Sequence, residues 1–181
     1  KELMQYIVED LGREGLERTP LRFASAWEEL TSGYREQLQS IVNGAIFTEN
    51  YSEMVVLRDI EFYSVCEHHL LPFFGRATVA YVPKGRLIGI SKIPRIVNMF
   101  ARRLQLQERM TDQIADALHA LLQPQGVACY VEAEHLCMLM RGIKSQGSRM
   151  VTSAMRGCFL SNQATRTEFM NILKTGSKGR E

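Results

Sequence analysis

Cys66-Glu67-His68-His69 puts a thiol, a carboxyl and two imidazoles on four consecutive residues. Held extended, the segment would send Cys66 and His68 to one side and His69 to the other, because side chains alternate along a strand. A turn instead brings Cys66 and His69 together, the spacing a zinc site uses, and leaves His68 free. A second segment adds to this set. Val127 to Met138 reads as a strand in which residues 127, 129, 131, 133, 135 and 137 share a face. His135 and Cys137 then project together, roughly 7 Å apart along the strand. One of them can hold a metal while the other stands beside it.

Cys66, His69 and Cys137 as ligands leave a tetrahedral zinc with one open position, the pattern of catalytic rather than structural sites. An open position holds a water whose pKa the metal can bring to about 7. Unligated histidines nearby are natural proton carriers. The alternative is a closed structural Cys2His2 site with His68 or His135 as fourth ligand. His119 falls on a separate helical segment and reads as a surface residue. Cys129 and Cys158 read as small core residues.

The elements that must position these groups follow from periodicity and punctuation. Leu3, Met4, Ile7, Val8 and Leu11 have helical spacing, stopped by Gly12. Thr19-Pro20 opens a second helix with Phe23, Ala24, Trp27, Leu30 and Tyr34 on one side. Residues 35–52 read as a polar connection. Met54–Ser64 and Arg76–Val82 read as strands, with a Pro83-Lys84-Gly85 turn and Arg86–Ile90 beyond it. Pro94 can open a helix. A longer helix follows Arg103, with Leu106, Met110, Ile114, Ala117, Leu118 and Leu121 as its buried stripe. Arg149–Phe159 is the expected antiparallel partner of the strand from Val127. Thr165 and Glu168 suggest a capping box for a last helix. The order predicts an α+β domain with a four-stranded antiparallel sheet: residues 1–50 as an N-terminal helical extension, 51–175 as the catalytic domain and 176–181 as a flexible tail.

Composition sets the outer limits. The chain has 181 residues, 45% apolar and 23% charged, with a net charge of +2, ordinary values for a globular domain. That balance does not suggest a dedicated nucleic-acid or membrane binder. No apolar run approaches the ~20 residues of a membrane span, and no secretory signal is visible. Four cysteines at this length are too few for a disulfide scaffold. The expected setting is the cytoplasm.

The strings CEHHLLPFFGRATVAYVP, IGISKIPRIV, LQLQERMTDQIADAL, VEAEHLCMLMRG and GSRMVTSAMRG occur in that order between GLERTPLRFA and TRTEF. In this the chain resembles the GTP cyclohydrolase I family along nearly its whole length. The resemblance implies the tunnelling fold with helices on one face of the sheet, a zinc cofactor and a ring-shaped homodecamer with active sites between subunits. It also implies conversion of GTP to 7,8-dihydroneopterin triphosphate with release of formate, the entry to pterin and folate biosynthesis.

Carried over by position, the zinc ligands fall on Cys66, His69 and Cys137, and the acid/base histidines on His68 and His135. Ser91, Lys92, Arg95 and Arg141 fall near the triphosphate. Arg22 is a phosphate contact supplied from a neighbouring subunit. Glu108 reads guanine, with Gln107 beside it. Arg156 departs from the pattern, standing where an apolar residue is expected. Two cysteines with one histidine disfavour enzymes of the same fold that bind zinc through three histidines or use a nucleophilic cysteine. A zinc-stabilised interaction module is the non-catalytic rival.

Overall fold

The computed structural model of the chain describes residues 2–7 and 10–175. Val8 and the expected tail at 176–181 lie outside the described residues. The chain opens with helices α1 (Glu2–Ile7), α2 (Thr19–Leu30) and α3 (Leu38–Val42), and β1 (Ile46–Thr48) follows. Then come β2 (Val55–Cys66), β3 (Pro72–Val82), β4 (Arg86–Ile88), α4 (Lys92–Ala101), β5 (Leu104–Gln105) and α5 (Gln107–Leu122). The chain continues through β6 (Gly126–His135), α6 (Leu136–Leu139), β7 (Met150–Gly157), α7 (Cys158–Ser161) and α8 (Gln163–Thr175). The fold class is α+β. No helix among the described residues is long and apolar enough to cross a membrane.

The main sheet runs β5-β2-β3-β6-β7. Its four long strands are antiparallel neighbours, as expected, while β5 adds a fifth, very short strand parallel to β2. The segment read as a polar connection holds α3 and β1, and β1 pairs with β4 in a separate two-stranded sheet. Such short strands are fixed by tertiary pairing, since three residues carry almost no alternation.

Registry decides which side chains share a face. Val79, Cys129 and Ala154 align across β3, β6 and β7, are buried, and join the main core with Ile114 and Leu118 of α5. Along β2, Ile60, Phe62, Ser64 and Cys66 are all buried at a period of two, so Cys66 ends the core-facing row. The next row, Ala80, Ala128 and Met155, faces the other way and packs with Phe159 and Phe169. This corrects the expectation of helices on one face. α4 and α5 cover one side, but α8 lays Phe169 over an apolar patch on the opposite side that would otherwise face water.

Two local differences have clear causes. Asn162 Oδ1 accepts from the amides of Ala164 at 2.9 Å and Thr165 at 3.3 Å, so Asn162 caps α8 one turn earlier than the expected capping box. Arg156 donates to Asp116 at 2.7 Å and Asp112 at 3.0 Å, tying β7 to α5. Two acidic residues on successive turns of α5 explain a charge where an apolar residue was expected.

Candidate metal centre

At one end of the sheet, Ser64, Phe73 and His135 stand in one row across β2, β3 and β6. Cys66 ends β2 two residues beyond Ser64, and Cys137 follows the end of β6 at His135, so the two thiols meet at this end of the sheet. The β2–β3 connection is a tight turn. Leu70 N–H donates to Cys66 C=O at 2.8 Å, and Cys66 N–H donates to Leu71 C=O at 2.9 Å. Leu70 takes a left-handed φ of 54° to make that closure. The turn folds His69 back so that its Nδ1 lies 3.9 Å from Cys66 Sγ.

Cys137 arrives by a different route from the one expected. β6 ends at His135, and the one-turn helix α6 carries Cys137. His135 and Cys137 therefore do not sit on one extended face. The helical turn swings the thiol over the sheet end while His135 stays in the sheet row. Cys66 Sγ, Cys137 Sγ and a His69 ring nitrogen all lie within 4.8 Å of one another.

This donor set suits a tetrahedral thiolate- and imidazole-binding cation such as zinc. The electrostatics agree. Burial raises the pKa of the Cys137 thiol, the Cys66 sulfur beside it raises it further, and Arg141 opposes both. The crowded Cys137 thiol resists ionisation until a cation stands beside it.

His135 is half-buried and pinned on two sides. Its ring stacks on Phe73 with centroids 4.6 Å apart and planes 2° from parallel. Its Nε2 lies 2.8 Å from Gln107 Oε1. Burial lowers its pKa, with Glu108 pulling the other way. Among the described residues, the donors that converge are Cys66, His69 and Cys137, and His135 does not join them as a fourth. His68 is exposed in the turn, its ring edge-on to His69 at 6.1 Å.

The other expected residues divide by location. Glu108 is exposed on the first turn of α5, close enough to act on the charge of His135. Arg141 follows α6 and acts on Cys137. Ser91 precedes α4, and Lys92 and Arg95 lie in its first turn, with Ser91 and Arg95 exposed. Arg22 is not brought to this centre. Its guanidinium folds back onto Gly15 C=O at 2.6 Å and Thr19 Oγ1 at 3.0 Å. Gln107 is 1% exposed, its amide engaged inside the protein.

Sequence reasoning missed the Glu67–Arg109 pair. Arg109 Nη1 donates to Glu67 Oε2 at 2.6 Å and Nη2 to Oε1 at 2.8 Å. The clue was that Glu67 lies between Cys66 and His69 and Arg109 directly follows Glu108, but nothing in the sequence says that α5 starts against that turn.

Comparison with known proteins closes the identification. The GTP cyclohydrolase I family model matches residues 1–174. GTP cyclohydrolase 1 of Leptospira biflexa is 55% identical over 177 residues, covering 98% of this chain and 97% of that relative. The Campylobacter curvus protein of the same name is 52% identical, covering 97% of this chain and 92% of its own. That of Deinococcus radiodurans is 53% identical over 99% of this chain and 83% of its own. With a soft-donor triad at the sheet end and a family match along nearly its full length, the chain belongs to the GTP cyclohydrolase I family.

Proposed function

We propose that this chain hydrolyses and rearranges GTP to 7,8-dihydroneopterin triphosphate with release of formate, using zinc held by Cys66, His69 and Cys137. The observation that carries the reading is the convergence of those three donor atoms within 4.8 Å beside an imidazole that is engaged elsewhere. Zinc bound there supplies Lewis acidity, lowering the pKa of water so that it attacks at neutral pH.

The residues of the chain do the rest. His68 and His135 move protons. Protonation of a ring nitrogen by one of them makes C8 of the purine more electrophilic toward water and lets the C8–N9 bond break. A second water releases C8 as formate. The ribose rearrangement and ring closure need only further proton transfers, which the same two histidines serve. Glu108 accepts from guanine N1–H and the exocyclic amino group. Ser91, Lys92, Arg95 and Arg141 hold the triphosphate, whose charge calls for several converging cations.

The domain division we infer is a helical extension over residues 1–50 and a catalytic tunnelling-fold domain over 51–175. The antiparallel sheet with α4 and α5 across one face supports it. We further infer a homodecamer with sites between subunits. In support, α2 buries no residue within its own chain, and β7 is an open sheet edge that pairing with another subunit would cover. Arg22 would then reach a neighbour's triphosphate. The four free thiols suit a reducing cytoplasm.

The test is turnover of GTP by the zinc-loaded protein, with formate and the pterin product both measured. Equimolar formation of the two is expected. Zinc-loaded protein that releases neither would overturn the reading.

A further inference from the structure

Gln107 is almost fully buried, and every polar atom of its amide is engaged. Nε2 donates to Val131 C=O at 3.2 Å, Met150 C=O at 3.0 Å and Thr152 Oγ1 at 3.1 Å. Two of these partners are backbone carbonyls, which can only accept. Turning the amide over would set Oε1 against both of them, so its orientation is fixed by chemistry.

The neighbouring hydroxyls agree with that direction. Thr111 Oγ1 donates to Gln107 C=O at 2.7 Å, so toward Thr152, also 2.7 Å away, Thr111 can only accept. The Thr152 hydrogen therefore goes to Thr111, leaving its oxygen lone pairs for Gln107 Nε2–H. The chain of donors runs one way from end to end.

The consequence falls on His135. With Nε2 of Gln107 facing the carbonyls, Gln107 Oε1 is what meets the imidazole Nε2 at 2.8 Å. An acceptor at that distance requires a hydrogen on the imidazole nitrogen. Phe73, stacked flat against the ring, keeps the imidazole plane from swinging away.

We propose that Gln107 is a positioning residue that fixes His135 as the Nε2–H tautomer, leaving Nδ1 to exchange protons with the substrate. It rests on the reading of His135 as an acid/base group. Gln107, which the resemblance sets beside the base, acts instead through His135. Its side chain has no free donor for guanine, whereas Glu108, one residue on, is exposed. A group that selects the tautomer of a catalytic histidine governs rate rather than substrate affinity.

The experiment is solid-state nitrogen NMR of the zinc-loaded full chain labelled with 15N-histidine. The chain has four histidines, and His135→Asn identifies the His135 signals by their loss. A protonated Nε2 and a bare Nδ1 at His135 are expected in the wild type. A neutral ring protonated at Nδ1 would overturn the proposal without any variant being made.

Gln107→Met keeps the volume and removes the acceptor. It should give a mixed tautomer signal and lower kcat by about 100-fold, the low end of an acid–base contribution. KM for GTP and zinc content should stay unchanged. A raised KM with kcat preserved would mean that Gln107 contacts the base and would also overturn the proposal. The spectrum is recorded without substrate, so a wild-type protein unable to turn over GTP would defeat the functional reading and leave the tautomer result standing by itself.

Discussion

Arg109, on the first turn of α5, holds Glu67, inside the turn that carries Cys66 and His69, through two parallel hydrogen bonds of 2.6 and 2.8 Å. The fork ties the segment carrying Cys66 and His69 to the helix carrying Gln107 and Glu108. Such bidentate pairing fixes geometry as well as adding attraction. Both side chains are exposed enough for solvent to screen the pair, so its effect on global stability is small. Its effect is local.

Arg109→Ala should therefore leave the melting temperature nearly unchanged while zinc leaves the protein about tenfold more readily, the low end for losing a group that supports a metal site. Competition with a chelator measures this. Zinc retention equal to wild type would show that the turn holds itself. The Arg109 hydrogen bond keeps the Glu67 carboxyl below the ordinary 4.5. The contribution is thus present above the ordinary carboxylate range and is lost as pH falls through the depressed value.

Metal removal should sort the cysteines. Stripping zinc should open Cys137, the partly exposed thiol of the triad, to an alkylating reagent. Cys129 should stay inert, since burial pushes its thiol to about 12 and the side chain is fully covered by the core. Mass spectrometry of labelled peptides, with and without chelator, gives the answer. Cys66→Ala, His69→Ala and Cys137→Ala should each lower zinc content, and Cys129→Ala should not. Alkylation of Cys129 before Cys137 would contradict this ordering.

His68→Ala and His135→Ala should keep their zinc and lose about 100- to 10,000-fold in turnover, the usual span for a general acid or base. Metal analysis beside steady-state kinetics separates proton carrier from ligand. Loss of zinc from either variant would move that histidine into the ligand set.

The contrast between Cys66 and Cys137 shows what was legible in the sequence. A turn over Glu67–Leu70 could be read from spacing, because only a turn lets Cys66 and His69 meet. The break after His135 could not, since Leu136-Cys137-Met138-Leu139 is as apolar as a strand. Gln107 was legible in principle. It stands three, seven and eleven residues before Met110, Ile114 and Leu118, on the buried stripe of α5, and a polar residue there must find internal partners. What hid its role was that those partners, on β6 and β7, lie 24 to 45 residues further along the chain. Arg156 was conspicuous for the same reason in reverse: the two aspartates that explain it lie on another element.

Glu108→Ala should cripple GTP turnover while zinc stays bound. Guanine offers N1–H and an exocyclic amino group side by side, and one carboxylate accepts from both. Adenine presents a lone pair at N1 and would be repelled, so discrimination of 10,000-fold or more is within reach of such a contact. Wild-type kinetics from this variant would reduce Glu108 to a solvated helix charge.

Assembly gives the last prediction. α2 has Leu21 60%, Phe23 53% and Leu30 39% exposed, with Phe23 and Trp27 rings 5.6 Å apart on its surface. Soluble proteins rarely leave a contiguous apolar surface of this kind uncovered, and it marks a contact with another surface. Light scattering of the native protein should therefore show a large homo-oligomer. Phe23→Asp puts a charge into the covering contact and should yield smaller species. Arg22 sits next to Phe23, and among the described residues its guanidinium donates to Gly15 and Thr19. If it serves a neighbour's triphosphate, dissociation should raise KM for GTP, while each protomer should keep its zinc because the three proposed ligands, Cys66, His69 and Cys137, come together within one chain. A monomeric wild-type protein with full activity would defeat both the assembly and the part given to Arg22.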